Sequence, residues 1–176
     1  MNRSLTSALL AITLTLGCGG AAEAQVPKPA QVQVVDTFDA AVAAYNRKDY
    51  ATAAPLFRSL AAQGYTVAQY NLALMYDNGQ GVAQDYKEAV RLYGLAAAQG
   101  YTVAQSNLGT MYEFGTGVAQ DYVRAHMWYN LGAISGDSKN ASTNRDNIAK
   151  RMTPAQIGEA QAMARKCQAS NFKQCD

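Results

Sequence analysis

One histidine, three cysteines and 16% charged residues among 176 leave little material for a chemical centre. With His126 alone, no histidine pair is available to hold a metal ion. A nucleophile with an imidazole base would have to be built on a side chain whose counterpart one repeat earlier is Val90. A single tryptophan and four phenylalanines also make the chain poor in large aromatics other than tyrosine, of which there are 11. Fifteen basic against 13 acidic side chains give a net charge of +2, too small a field to imply nucleic acid or an anionic membrane as partner. At 49% hydrophobic residues, disorder and a collagen-like chain are both excluded.

There is also no apolar run of the roughly 20 residues that cross a bilayer as a helix. The longest, Leu5 to Gly17, follows Arg3 and precedes Ala22-Glu23-Ala24, the pattern of an export signal cut before Gln25. The rival reading is a lipoprotein signal ending at Cys18, against which stands Thr15 where leucine is normally found. Residues 1–24 are therefore read as a signal peptide and 25–35, with two prolines and no helical period, as a flexible lead-in. Removal of the signal leaves Cys167 and Cys175, an even number in a compartment that permits a disulfide. Two buried thiols in a reducing compartment are the alternative. Eight residues of unbroken helix would hold these cysteines about 12 Å apart, and a bridge needs Cα atoms within about 7 Å. A bridge thus requires the helix to end near Ser170-Asn171.

What the chain has in abundance is self-similarity. Residues 65–100 lie on 101–136 without a gap, with 21 of 36 positions identical. Both copies open Tyr-Thr-Val-Ala-Gln and contain Gly-Val-Ala-Gln-Asp-Tyr. A looser copy occupies 36–64, where Asp49-Tyr50, Ala53 and Gly64 stand 36 residues before Asp85-Tyr86, Ala89 and Gly100. It lacks the Gly-x-Gly loop and turns tightly at Arg47-Lys48. Within a unit, Thr66 to Tyr76 and Asp85 to Ala98 carry helical periods, separated by Asp77-Asn78-Gly79-Gln80-Gly81. Asp85 is placed to cap the second helix, and Gly64, Gly100 and Gly136 fall where such helices stop. Residues 137–176 read as a C-terminal helical cap, with Asn140 to Met152 an imperfect helix and Thr153-Pro154-Ala155-Gln156 a strong start for another.

The stretches Ala-Gln-Tyr-Asn-Leu-Ala-Leu-Met-Tyr (68–76), Gly-Gln-Gly-Val-Ala-Gln-Asp-Tyr (79–86) and Ala-Ala-Ala-Gln-Gly (96–100) closely resemble the Sel1-like repeat. Residues 36–64 look closer to a tetratricopeptide repeat. The resemblance implies an all-α fold, an α/α solenoid of helix-turn-helix repeats with a concave inner surface, used mostly to bind other proteins in signalling, secretion and envelope biogenesis. Similar Met-Thr-Pro-Ala-Gln segments follow Sel1-like repeats in exported bacterial proteins, which implies a bacterial source and a periplasmic or secreted location.

Comparison of the two close repeats selects candidate contact residues, because packing positions should agree while positions facing a partner are free to differ. In the first helix the differences are Tyr70/Ser106, Ala73/Gly109, Leu74/Thr110 and Asp77/Glu113, which share one helical face. Tyr70, Leu74, Asp77, Ser106, Thr110 and Glu113 are accordingly the expected partner-binding groove, with an ordinary solvated face as the bland alternative. In the second helix Leu92 becomes Trp128, within Met127-Trp128-Tyr129, which reads either as an exposed anchor or as packing for the terminal helices.

Two functions follow: an adaptor holding a segment of another protein, and, as the alternative, a binder of an envelope polymer such as peptidoglycan or exopolysaccharide through stacked tyrosines. Against the second, Tyr76 and Tyr112 recur at one repeat position and Tyr65 and Tyr101 at another, as packing would require. A remote third reading is a β-lactam-binding or hydrolysing enzyme, since Ser170-Asn-Phe-Lys173 formally matches Ser-x-x-Lys. The companion motifs are absent, and the match is read as chance. Gly79-x-Gly81 lacks the lysine and strand of a phosphate loop. No catalytic residue, metal or cofactor is expected.

Overall fold

The computed structural model describes residues 30–134 and 139–175; the expected signal peptide, the first part of the lead-in and Gly136 lie outside them. Among the described residues eight helices follow one another: α1 (Ala30–Asn46), α2 (Tyr50–Ala62), α3 (Thr66–Asn78), α4 (Tyr86–Ala97), α5 (Thr102–Phe114), α6 (Tyr122–Ala133), α7 (Lys139–Ala149) and α8 (Pro154–Ala169). Among the described residues there is no strand. From α1 to α6 each helix packs against the next, and α7 and α8 both close on α6. The result is an all-α helical-repeat solenoid.

One expectation needs correction. The lead-in was expected to run to residue 35, but α1 begins at Ala30, directly after Pro29. At its start Ala30, Val32 and Val34 alternate with Gln31 and Gln33, which hid the helical period. Packing supplies the reason: Val34 and Phe38 sit against the core, Phe38 edge-on to Phe57 at 6.3 Å.

Helix starts are set locally. Asp49, Asp85 and Asp121, each 36 residues apart, accept bonds from the backbone amides of Thr52 (3.2 Å), Lys87 and Glu88 (3.0 and 3.1 Å), and Arg124 (3.0 Å). Such a cap stabilises by about 1 kcal/mol. Thr153 and Gln156 form a reciprocal capping box at α8, with Pro154 in the first helical position. The core between helices is rich in alanine, with Ala53, Ala68, Ala89, Ala104 and Ala125 fully buried. Side chains this small let helix axes approach closely, while Phe57, Tyr93 and Tyr129 fill the wider gaps.

The Gly-x-Gly loop has a tertiary purpose. Gly81 and Gly117 take φ +70° and +73°, and a Cβ on either would stand 2.3 Å from the carbonyl oxygen of Tyr50 or Tyr86, the first residue of the preceding unit's second helix. Each loop thus seats on the repeat before it. The first unit lacks such a loop and turns at Lys48, φ 63°.

At the far end, α8 stops at Ala169, and Asn171 and Phe172 adopt left-handed φ of 51° and 61°. The tail folds back, and Cys167 and Cys175 are joined with Cα atoms 4.4 Å apart.

Candidate partner-binding face

The groove residues selected by repeat comparison lie on α3 and α5, and the structure divides them. Tyr70, Leu74, Asp77, Thr110 and Glu113 are half-buried along one face. Ser106 is a correction: only 8% exposed, it is not on that open face. Gly132 of α6 lets the two helices meet, and a Cβ at Gly132 would come within 3.3 Å of the Ser106 amide and 3.4 Å of Ala141. Serine replaces Tyr70 here because there is no room for a ring.

The two acids are held by partners rather than left free. The Tyr93 hydroxyl donates to Asp77 Oδ2 at 3.2 Å, and the Tyr129 hydroxyl to Glu113 Oε2 at 2.7 Å. Tyr93 and Tyr129 occupy the same place in successive repeats, and each is fully buried. The next unit's first helix completes both arrangements, Asn107 bonding the Tyr93 hydroxyl and Asn144 that of Tyr129. Burial, followed by the neighbouring carboxylate and its hydrogen bond, pushes both phenols far above the ordinary tyrosine range. Burial also raises Asp77 above the usual carboxylate range, against the opposing effect of the Tyr93 bond. The first repeat has Phe57 and Tyr45 at the corresponding places, their ring centroids 6.3 Å apart, so the buried hydroxyl and the acid are absent together.

Tyr70, the feature that differs most between copies, packs at 5.1 Å from Tyr101 and 5.9 Å from Tyr93. Asn107 bonds its hydroxyl as well. Thr110 Oγ1 lies 3.0 Å from the Tyr129 hydroxyl and 3.2 Å from the Ser106 carbonyl, to which it donates. The face is therefore a partly prepaid polar surface: its acids are fixed in direction by buried phenols and keep other lone pairs toward solvent.

Repeat comparison missed two kinds of residue. Asn107 escaped because it matches Asn71 and so looked like packing; the bond it makes to the preceding unit's tyrosine has no signal within one helix. Phe114, 65% exposed at the end of α5, was missed although its counterpart is Asn78, an apolar-for-polar change that could have flagged it. Beside it Arg151 pairs with Glu113 at 3.7 Å and lies over the Tyr122 ring at 4.5 Å.

Trp128 packs inward, 4% exposed, beneath the terminal elements. His126 is buried at 3% exposure, and burial, with Arg145 nearby, lowers its pKa. Ser170 Oγ donates to the Cys167 carbonyl at 2.8 Å and accepts from the Gln174 amide at 3.0 Å, so it serves the turn that returns the tail. Among the described residues no group of three or more histidine, cysteine or acidic side chains gathers where a metal could sit, and no helix is long and apolar enough to cross a membrane.

A stack of helix pairs with a polar, aromatic-lined face defines a helical-repeat scaffold. The Sel1 repeat family model matches residues 66–101 and 102–137. The chain is similar to the Sel1 repeat protein from Oxalobacter formigenes, at 31% identity and TM-score 0.59, over 66% of this chain and 90% of that one. It is similar, too, to a protective antigen present in uropathogenic Escherichia coli strains displaying an SLR fold, at 26% identity and TM-score 0.74, over 81% of this chain. The chain spans only 32% of that antigen's length. No curated protein sequence matches significantly. The chain belongs to the Sel1 repeat family. Members of this family are generally protein-interaction modules and generally not catalysts.

Proposed function

We propose that this chain is a non-catalytic adaptor of the bacterial cell envelope, holding a segment of another protein against the face built by α3 and α5. The carrying observation is where the first helices of two repeats that share 21 of 36 positions diverge. Their turns, caps and buried tyrosines recur, while Tyr70/Ser106, Leu74/Thr110 and Asp77/Glu113 differ on one side. Tyr70, Leu74, Asp77, Thr110 and Glu113, joined by the exposed Phe114, supply the mixture of apolar area, hydroxyls and oriented carboxylates that peptide recognition uses. Ser106 is left out because it is buried.

Placement in the periplasm, or secretion, is supported by the Leu5 to Gly17 apolar stretch with Ala22-Glu23-Ala24 after it, and by the joined Cys167 and Cys175, which suit an oxidising compartment. The test is a pull-down from periplasmic extract with wild type and a Leu74→Arg, Phe114→Ser variant, neither residue being fully buried. A protein retained by wild type and lost by the variant, at equal helicity, supports the reading. Equal retention by both overturns the assignment of this face.

A further inference from the structure

The opposite side of the solenoid carries two grooves that are the same place in successive repeats. The first, about 330 Å³, lies between α2 and α4 with α3 as its floor, and is lined by Arg58, Gly64, Leu72, Tyr76 and Leu95 among others. The second, about 300 Å³, lies between α4 and α6, with Gly94, Leu108, Tyr112 and Trp128 standing 36 residues after Arg58, Leu72, Tyr76 and Leu92. Volumes at this lower end of the binding-cavity range suit one side chain and its flanking backbone.

The second groove already has such a side chain along its edge. The returning tail lays Phe172 over Gly100, so close that a Cβ on that glycine would be 3.3 Å from the ring. Phe172, Lys173 and Cys175 then become part of the groove wall. Gly64 is the counterpart of Gly100, with the same left-handed backbone, φ +88° against +80°. Nothing stands within 4 Å of where its Cβ would be, and Gly64 itself lines the open groove.

Charge separates the two sites. Arg58 edges the first groove where the second has Gly94. Arg91 is held by Glu88 through two bonds of 2.7 and 2.8 Å, which neutralises that pair. Arg58 reaches the neutral Tyr76 hydroxyl at 3.3 Å and leaves the groove rim net positive. The tail that lines the second groove carries a lysine after its phenylalanine; a segment for the first should carry a carboxylate there.

We propose that the groove between α2 and α4 is a second docking site, taking an acidic, phenylalanine-bearing segment of a partner protein whose ring covers Gly64 as Phe172 covers Gly100. It is distinct from the α3 and α5 face and does not depend on it.

The probe is a fluorescein-labelled peptide, Ser-Asn-Phe-Glu-Gln-Ser, which is residues 170–175 of this chain with Lys173→Glu and Cys175→Ser. Anisotropy is read on the intact oxidised protein, titrated to about 1 mM, where binding is worth about 4 kcal/mol. Saturable binding is expected, weakened about tenfold or more by Phe172→Ala in the peptide, by Arg58→Glu or by Ala62→Glu in the protein, a change of about 1.4 kcal/mol. Ala62 and Ala98 are exposed counterparts lining the first and second grooves, so Ala98→Glu should leave affinity unchanged. Unaltered helicity and urea midpoint check each variant's fold. Absence of saturation, equal affinity for the alanine peptide, or equal loss in Ala98→Glu would overturn the proposal. So would self-association of the chain that Ala62→Glu abolishes, because a second copy would then own the groove.

Discussion

Replacing Tyr129 by phenylalanine removes one oxygen from the interior, and the first repeat shows what the site looks like without it. There Phe57 takes the same position and Tyr45, packed edge-on to it, stands where Asp77 and Glu113 stand later. The Tyr129 hydroxyl donates at 2.7 Å to a carboxylate whose side chain is only 15% exposed, and a hydrogen bond to a charged group is worth about 1.5–3 kcal/mol. Tyr129→Phe should therefore lower unfolding stability by about 2 kcal/mol. Glu113→Ala should cost about 1 kcal/mol, since it also removes a half-desolvated charge and gives up an exposed contact to Arg151, a type worth about 0.5 kcal/mol. If the two groups act as a pair, the double variant costs about what Tyr129→Phe alone costs, giving a coupling of about 1 kcal/mol. Urea unfolding followed by Trp128 fluorescence provides all four midpoints, and an unchanged slope confirms that only stability moved. Strict additivity, within about 0.3 kcal/mol, would refute the reasoning and return Glu113 to the solvated surface.

Gly117→Ala should destabilise by about 3 kcal/mol or more, because it adds a left-handed strain of about 1–2 kcal/mol to a backbone clash at Tyr86; Gly64→Ala should cost only the strain. Equal urea midpoints for the two would show that the loop does not seat on the preceding repeat. Asp77→Asn tests the raised carboxyl: the folded state holds its proton more tightly than the unfolded chain, so stability falls as pH rises from about 3.8 through the folded pKa and stays lower above it. The asparagine variant should thus gain in melting temperature over wild type at pH 7 and lose that gain near pH 3; an equal difference at both would refute it. Reduction, or Cys175→Ser, should free Phe172 from Gly100 and speed amide exchange in residues 170–175 while α3 and α4 stay protected. Mass spectrometry of protein recovered from the periplasm should find a chain beginning at Gln25, and a lipid-modified Cys18 would overturn that expectation.

Much of this protein was legible before any coordinates. A repeat of 36 residues, aspartates at the helix starts and glycines at the turns are local signals, because a cap or left-handed residue acts within four or five positions of itself. Thr153-Pro154 and the need for a turn near Ser170 were readable for the same reason. The start of α1 was not, since its helix is held by Phe38 on Phe57, a contact made across the hairpin.

The candidate face was half legible. Sequence comparison found which positions of α3 and α5 diverge, but divergence does not distinguish a side chain facing solvent from one displaced by a neighbour. Ser106 is buried because α6 approaches at Gly132, and Asp77 and Glu113 are tied to tyrosines 16 residues along, with an asparagine from the next repeat completing each bond set. The single chain also does not announce that Phe172 covers Gly100 while Gly64 stays open, because both glycines carry the same local signal. Sequence by itself determined the repeat, its helices and its turns, whose energies are decided within a few residues. Tertiary structure alone decided which acids are held, which serine is buried and which of two like grooves the tail lines, since those depend on groups that meet only when one hairpin stacks on the next.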